Sequence, residues 1–236
     1  MAANRVALVT GGTRGIGAAI VRRLAADGFA VFLSGRTEES TRSALARFAK
    51  EGLSVRGFAA DARIEEDQKR LVQSVARDGG RLDVLVNNAG LGHFERVDKL
   101  SADQFRETLE TNLFGVFYAV RHAAPLMIEN GGGFIVNIAS LASVNPFAGG
   151  AAYNASKFGL LGFSEAAMLD LRHDGIRMAT VLPGSVDTEF GHSRRDASWM
   201  LAPEDVAEAV ADLVRFPDRA IPSRIDLRPS KPPRKS

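Results

Sequence analysis

Tyr153 and Lys157 stand four residues apart in AAYNASKFG (151–159), a run otherwise made mostly of small side chains. If the run is helical, that spacing puts both side chains on one face, a turn apart. An isolated phenol has a pKa of about 10 and exchanges its proton sluggishly at neutral pH. A neighbouring ammonium favours the phenolate and lowers that pKa, which makes the pair a candidate general acid/base centred on Tyr153. The plain alternative is two unrelated residues sharing a helix face, and the rest of the chain bears on the choice.

A second stretch offers ligand chemistry. TGGTRGIG (10–17) lies between an apolar run and a helical pattern, with glycines at 11, 15 and 17 and Thr13, Arg14 and Ile16 among them. Glycines there permit a tight turn and close backbone approach, so that a helix start presents its N–H groups and positive dipole end to a pyrophosphate. In NAD sites an acid about 20 residues further on, at the end of the second strand, takes the ribose hydroxyls. Here FLSGRT puts Gly35 at that position, Arg36 directly after it, and Arg14 inside the loop itself. A carboxylate would repel a 2′-phosphate, whereas two guanidinium groups bind one through charge-assisted hydrogen bonds. The reading is NADP (NADPH), with two solvated surface arginines as the alternative.

These residues need elements to position them. Strand-like apolar runs at 5–11, 30–36, 54–61, 82–90, 133–140 and 176–184, with a last one at 224–229, alternate with helical patterns. The helices fall at 15–27, through Lys50, at 65–78, 102–129 and 151–172, and at 203–215 with Pro203 in the first turn. Nearly all-apolar strands joined through helices imply an α/β fold, a single doubly wound parallel sheet with helices on both faces. We expect one dinucleotide-binding and catalytic domain over 1–228, followed by a basic, proline-rich tail over 229–236.

Bulk properties exclude other classes. A formal net charge of +2 is too small to point to nucleic acid, and five basic residues sit in the end RIDLRPSKPPRKS against one acid, Asp226. That end reads as a solvated tail. No apolar run reaches the ~18 residues of a membrane span. There is no basic stretch ahead of a long apolar run at MAANRVALVTGG, so a cytoplasmic location without a secretory leader is expected. With no cysteine there is no disulfide or thiolate chemistry, and no His/Asp/Glu cluster has metal-ligand spacing, so no metal is expected.

Taken together, TGGTRGIG, NNAG (87–90), Asn112 in TNLFGVF, Ser140 in NIAS, YNASK (153–157) and PGSVDT (183–188) resemble the short-chain dehydrogenase/reductase family. The motifs occur in the family's order, with Ser140 and Tyr153 separated by 13 positions, and the resemblance covers nearly the whole chain. It implies a catalytic set of Asn112, Ser140, Tyr153 and Lys157. Ser140 would hydrogen-bond the substrate oxygen, Lys157 would also bond the nicotinamide ribose, and Asn112 would fix a water in a proton path. It further implies cofactor contacts from Asp61 and Ala62 at the adenine, from Asn88, Ala89 and Gly90 beside the sheet, and from Pro183, Gly184, Val186 and Thr188 at the carboxamide and phosphates. The implied reaction is hydride transfer between NADP(H) and a carbonyl or secondary alcohol, with Tyr153 exchanging the proton.

Substrate choice should lie in loops 91–97, 141–150 and 185–202, where Phe94, Leu141, Phe147, Phe190, Trp199 and Met200 make the walls apolar. A hydrophobic ketone, ketoester or 3-oxoacyl chain suits such walls. The end IDLRPSKPPRKS is unlike the close of 3-oxoacyl carrier-protein reductases and resembles the branch of hydroxy-acid and serine dehydrogenases. His93 lies outside the motifs and reads as a loop or pocket-wall residue. The 151–172 helix is apolar on more than one face, which with the resemblance implies a homodimer or homotetramer. The second function class is a non-catalytic NADP-binding sensor or scaffold, against which the intact Ser–Tyr–Lys–Asn set argues.

Overall fold

The computed structural model describes residues 5–190 and 197–233. Seven parallel strands form one sheet in the order β3-β2-β1-β4-β5-β6-β7. They are β1 Val6–Val9, β2 Ala30–Gly35, β3 Val55–Ala59, β4 Val84–Asn87, β5 Gly133–Ile138, β6 Ile176–Pro183 and β7 Arg224–Leu227. The strand order reverses between β1 and β4, and such a switch point opens a crevice at the carboxyl ends of the strands.

Strand alternation sends successive side chains to opposite faces, and here both faces are covered. Ala7 and Val9 of β1 join a core with helices α1 (Gly15–Ala26), α2 (Glu38–Lys50) and α7 (Pro203–Arg215). Val6 and Leu8 join the opposite core with α3 (Glu65–Gly79), α5 (Gly115–Glu129) and α6 (Ala151–Leu171). Fully buried Phe48 and Phe134 anchor the first core and Phe32 the second. Each contributes roughly 1.5–3 kcal/mol by leaving water.

Two details differ from the sequence reading. The predicted helix over 102–129 is α4 (Ala102–Leu109), a π-helical turn over Glu110–Phe114, and then α5. A π turn inserts one residue without breaking the helix, so apolar spacing hardly registers it. The strands also stop earlier than predicted. Thr10, Asn88 and Ala139 already lie beyond the strands: Thr10 and Ala139 N–H still donate to the Val86 and Val181 carbonyls, whereas the Asn88 and Ala89 N–H groups turn to Thr10 Oγ1, at 3.0 and 3.1 Å. Among the described residues no helix is long and apolar enough to cross a membrane.

Candidate active site

Two clefts meet at the carboxyl edge of the sheet. The narrower, of about 490 Å³, runs from the glycine loop and Arg36 past Asp61, Ala62 and Asn88–Gly90 to Lys157. The wider, of about 1400 Å³, is walled by Ser140, Phe94, Phe147, Trp199 and Pro183–Val186, among others. Tyr153 lines both, as do Ile16 and Thr188.

The narrow cleft is shaped as a cradle that side chains would fill. Gly11 has φ +63°, and a Cβ on it would lie 2.8 Å from the Ala89 Cα. A Cβ on Gly17 would collide with the Gly11 carbonyl and the Asn88 amide. That amide donates to the Thr10 and Gly11 carbonyls at 3.0 Å each, holding the loop in its turn. The N-terminus of α1 has neither a side-chain cap nor an acid in its first turn, so its donors face the cleft free for an anion. These features fit a dinucleotide pyrophosphate.

The end of the cleft beside Arg36 accounts for Gly35. A Cβ there would meet Thr13 Cγ2 and Thr41 Oγ1, each at 2.6 Å, so the position has no room for a carboxylate. Arg14 and Arg36 both line the cleft, and Arg14 Nη1 is held by Glu189 Oε2 at 2.9 Å across the mouth. Thr37 and Ser40 line the same end and were not singled out from the sequence. Their mutual capping box at the start of α2 is the signal that could have placed them there. Thr111 was also missed: its hydroxyl is buried without a partner beside the cleft. Further along the cleft the Arg63 guanidinium hydrogen-bonds Asp61 and holds its carboxyl below the usual range.

Tyr153 and Lys157 share one face of α6 as their spacing requires, with Lys157 Nζ 5.7 Å from the Tyr153 ring centroid. Burial raises the pKa of the Tyr153 phenol, and the nearby Ser140 hydroxyl opposes that rise in smaller measure. The expected lowering by Lys157 is therefore not what this arrangement produces. The lysine points at the Ile138 carbonyl, to which Nζ donates at 3.0 Å, and its own burial brings its pKa down to about 8. Desolvation dominates the shift of both groups.

Asn112, in the π turn, is fully buried. Its Oδ1 accepts from Leu91 N–H at 2.9 Å, while Nδ2 donates to the Leu91 carbonyl and to Ser156 Oγ, at 2.8 and 2.9 Å. The side chain thus braces the loop after β4 against α6, with both amide donors committed. Asn154, not singled out before, ties the loop after β5 to the same helix: Nδ2 donates to the Ala142 carbonyl at 2.9 Å and Oδ1 accepts from Phe147 N–H at 3.4 Å.

Pro183, Gly184 and Val186 line the wide cleft, whereas Thr188 reaches both and packs beside Gly15. Phe94, Phe147 and Phe190 surround the Tyr153 ring at 5.4, 6.5 and 5.8 Å between centroids. Leu141, Trp199 and Met200 complete the apolar wall, and positions 191–196 of the predicted 185–202 loop lie outside the described residues. His93 sits in the loop after β4, as one of its two readings had it, and lines neither cleft. Its Nε2 lies 2.9 Å from Glu107 Oε2, and the other Glu107 oxygen accepts from Arg63, also at 2.9 Å. Among the described residues no three His, Asp or Glu side chains gather as a metal site.

A family model described as short chain dehydrogenase matches residues 5–199. Dehydrogenase/reductase SDR family member 4 of Oryctolagus cuniculus is 37% identical over 80% of this chain and 73% of its own. A metagenomic short-chain oxidoreductase solved in complex with NADP superposes with a TM-score of 0.84 at 35% identity, covering 97% of this chain and 98% of that one. A variant actinorhodin polyketide ketoreductase solved with NADPH gives 0.87 at 33%, covering 95% of each.

Proposed function

The chain belongs to the short-chain dehydrogenase/reductase family of oxidoreductases, and from that premise we propose that it interconverts a carbonyl and a secondary alcohol with NADP(H), Tyr153 moving the proton. The observation that carries this reading is the place of Tyr153 at the junction of the two clefts, beside Ser140 in the wide one and above a buried Lys157. The glycine loop (Gly11, Thr13, Arg14, Gly15, Ile16, Gly17) with Asn88, Ala89 and Gly90 would hold the pyrophosphate and its sugars, with Asp61 and Ala62 beside the adenine. Lys157 and the Pro183–Thr188 segment would orient the nicotinamide end. When bound, the dinucleotide supplies or accepts the hydride.

Arg14, Arg36, Thr37 and Ser40 would take a 2′-phosphate, and the crowding at Gly35 removes the acid that NAD binding uses. The solved relatives holding NADP and NADPH support that choice. Ser140 and Tyr153 both line the wide cleft, where their hydroxyls would grip the substrate oxygen. Reduction draws the Tyr153 Oη proton onto that oxygen, and oxidation returns it. The phenol's raised pKa keeps it protonated at neutral pH, as an acid for carbonyl reduction must be. Lys157, its pKa near neutrality, can pass a proton to Tyr153 after each turnover.

The apolar wide cleft favours a ketone, ketoester or 3-oxoacyl substrate with a hydrophobic body over a small polyol. We place the working unit as a cytoplasmic homo-oligomer, formed through α5 and α6 where Phe117 and Phe163 pack edge to face.

The test follows the absorbance of reduced nicotinamide with NADPH and NADH against ketones, ketoesters and acyl thioesters. Turnover with NADPH is expected, with Tyr153→Phe lowering kcat by about 10²-fold or more while NADPH still binds. Arg36→Ala should weaken NADPH about tenfold or more and leave NADH unchanged, the scale of a hydrogen bond to a charged group. Tight NADPH binding without turnover across the panel would favour a sensor instead.

A further inference from the structure

Residues 228–233 of the proline-rich end are mostly exposed, yet four of them border the wide cleft. Because β7 pairs in parallel with β6, the chain leaving Leu227 emerges at the carboxyl edge of the sheet, where the clefts open. Pro229 has no N–H and cannot extend the ladder, so the strand stops and the chain turns along the crevice. Gly184 N–H donates to the Leu227 carbonyl at 2.8 Å, fixing this exit against the end of β6. A Cβ on Gly184 would lie 2.9 Å from Pro229 Cδ and 3.1 Å from Leu141 Cδ1, so only glycine lets the segment close onto the turn that follows Ser140.

From there Arg228, Pro229, Pro232 and Pro233 form one side of the wide cleft, whose walls also include Ser140, Tyr153 and Trp199. Three of the five residues over 229–233 are prolines, with fixed φ, and each restricts the residue before it to extended backbone. The segment is therefore stiff despite its exposure. At about 1400 Å³ the cleft exceeds the 300–1,000 Å³ common for small-molecule sites, room for a group well beyond a reacting carbonyl.

We propose that Arg228–Pro233 is a specificity wall of the substrate cleft, which contacts the apolar portion of the substrate remote from the reacting carbonyl. This rests on the wide cleft being the substrate site. Such a wall acts on what the carbonyl carries, not on hydride or proton transfer. It therefore separates substrates with an identical reacting centre and different distal groups.

The experiment compares ethyl and benzyl acetoacetate, which share that centre, in the intact chain, in a full-length Pro229→Gly/Pro232→Gly/Pro233→Gly variant, and in a chain ending at Arg228. The ratio of kcat/KM for benzyl over ethyl ester should fall about tenfold, the scale of one or two methylenes of lost pocket contact. NADPH affinity should stay within about twofold, since none of these residues lines the narrow cleft. Equal changes for both esters, or no change, would overturn the proposal. Trp199 is the only tryptophan and lines this cleft, so quenching of its fluorescence by benzyl acetoacetate reads binding without turnover. If the intact chain turns over neither ester, the proposed reaction is in question. The wall is then judged by quenching alone: weaker binding in both variants supports it, and equal binding refutes it.

Discussion

At the scale of single residues, burial governs the candidate proton relay. Lys157 is held below its ordinary value of 10.5, at about 8, because a charged ammonium beneath the sheet edge has lost its water and gained only the Ile138 carbonyl. Between those two values the unfolded chain binds a proton that the folded chain lacks, so this residue's contribution to stability rises with pH across that window. Below about pH 8 the folded protein carries the full cost of the buried charge. Lys157→Met should accordingly raise the thermal midpoint of the ligand-free protein at neutral pH, by an amount worth roughly 1–3 kcal/mol. The advantage should shrink as pH climbs toward 10.5. Calorimetry of both proteins across that range checks it; a difference independent of pH would show that Lys157 is not the titrating group. The same variant should lose turnover, so that stability and activity move in opposite directions, as expected of a group kept for chemistry.

At the scale of elements, the site is assembled from loops just past the strand ends, and its braces were less legible than its reactive groups. Tyr153, Lys157 and the glycine loop stand out in the sequence because their chemistry needs particular residue types at short spacing. The braces join residues far apart in the chain: Asn112 with Leu91 and Ser156, Asn154 with Ala142 and Phe147, Glu107 with Arg63 and His93. No local pattern marks such pairs. The π turn escaped for a related reason, since one inserted residue hardly disturbs apolar periodicity yet turns Asn112 wholly inward. Glu107 offers a test at this scale. Its two oxygens link Arg63, which grips Asp61 in the narrow cleft, to His93, whose neighbour Phe94 packs on Tyr153. Glu107→Gln keeps the shape but loses the charge and one acceptor. The side chains are about a third exposed, so global stability should drop by only about 0.5–1 kcal/mol. Amide hydrogen exchange over 91–97 should accelerate well beyond that of the sheet, and unchanged protection there would mean the loop is held by other contacts.

At the scale of the whole molecule, the two faces of the sheet are not finished alike. The α1–α7 side ends in ion pairs, among them Arg215 with Asp27 and Arg23 with Glu208, which suit contact with water. The opposite side carries an aromatic strip. Phe114, at the end of the π turn, and Phe117 of α5 each pack on the Tyr118 ring, and Phe117 meets Phe163 of α6 edge-on at 6.2 Å. Phe114 and Phe117 remain 46% and 38% exposed, and a contiguous apolar surface of this kind marks a protein contact. The same two elements hold Asn112, in the turn leading into α5, and Tyr153 and Lys157, at the start of α6. A second copy packed on this strip would therefore stiffen the frame behind the site. Phe117→Glu would set a carboxylate among the rings, at a cost no single protomer has to bear in water. Sedimentation velocity at micromolar concentration should show the wild-type chain as a dimer or larger and the variant as a monomer. The variant should keep its NADPH affinity, because the narrow cleft draws no residue from the strip, while its thermal midpoint falls and ceases to depend on protein concentration. A wild-type chain that sediments as a monomer would leave the strip without the partner assigned to it.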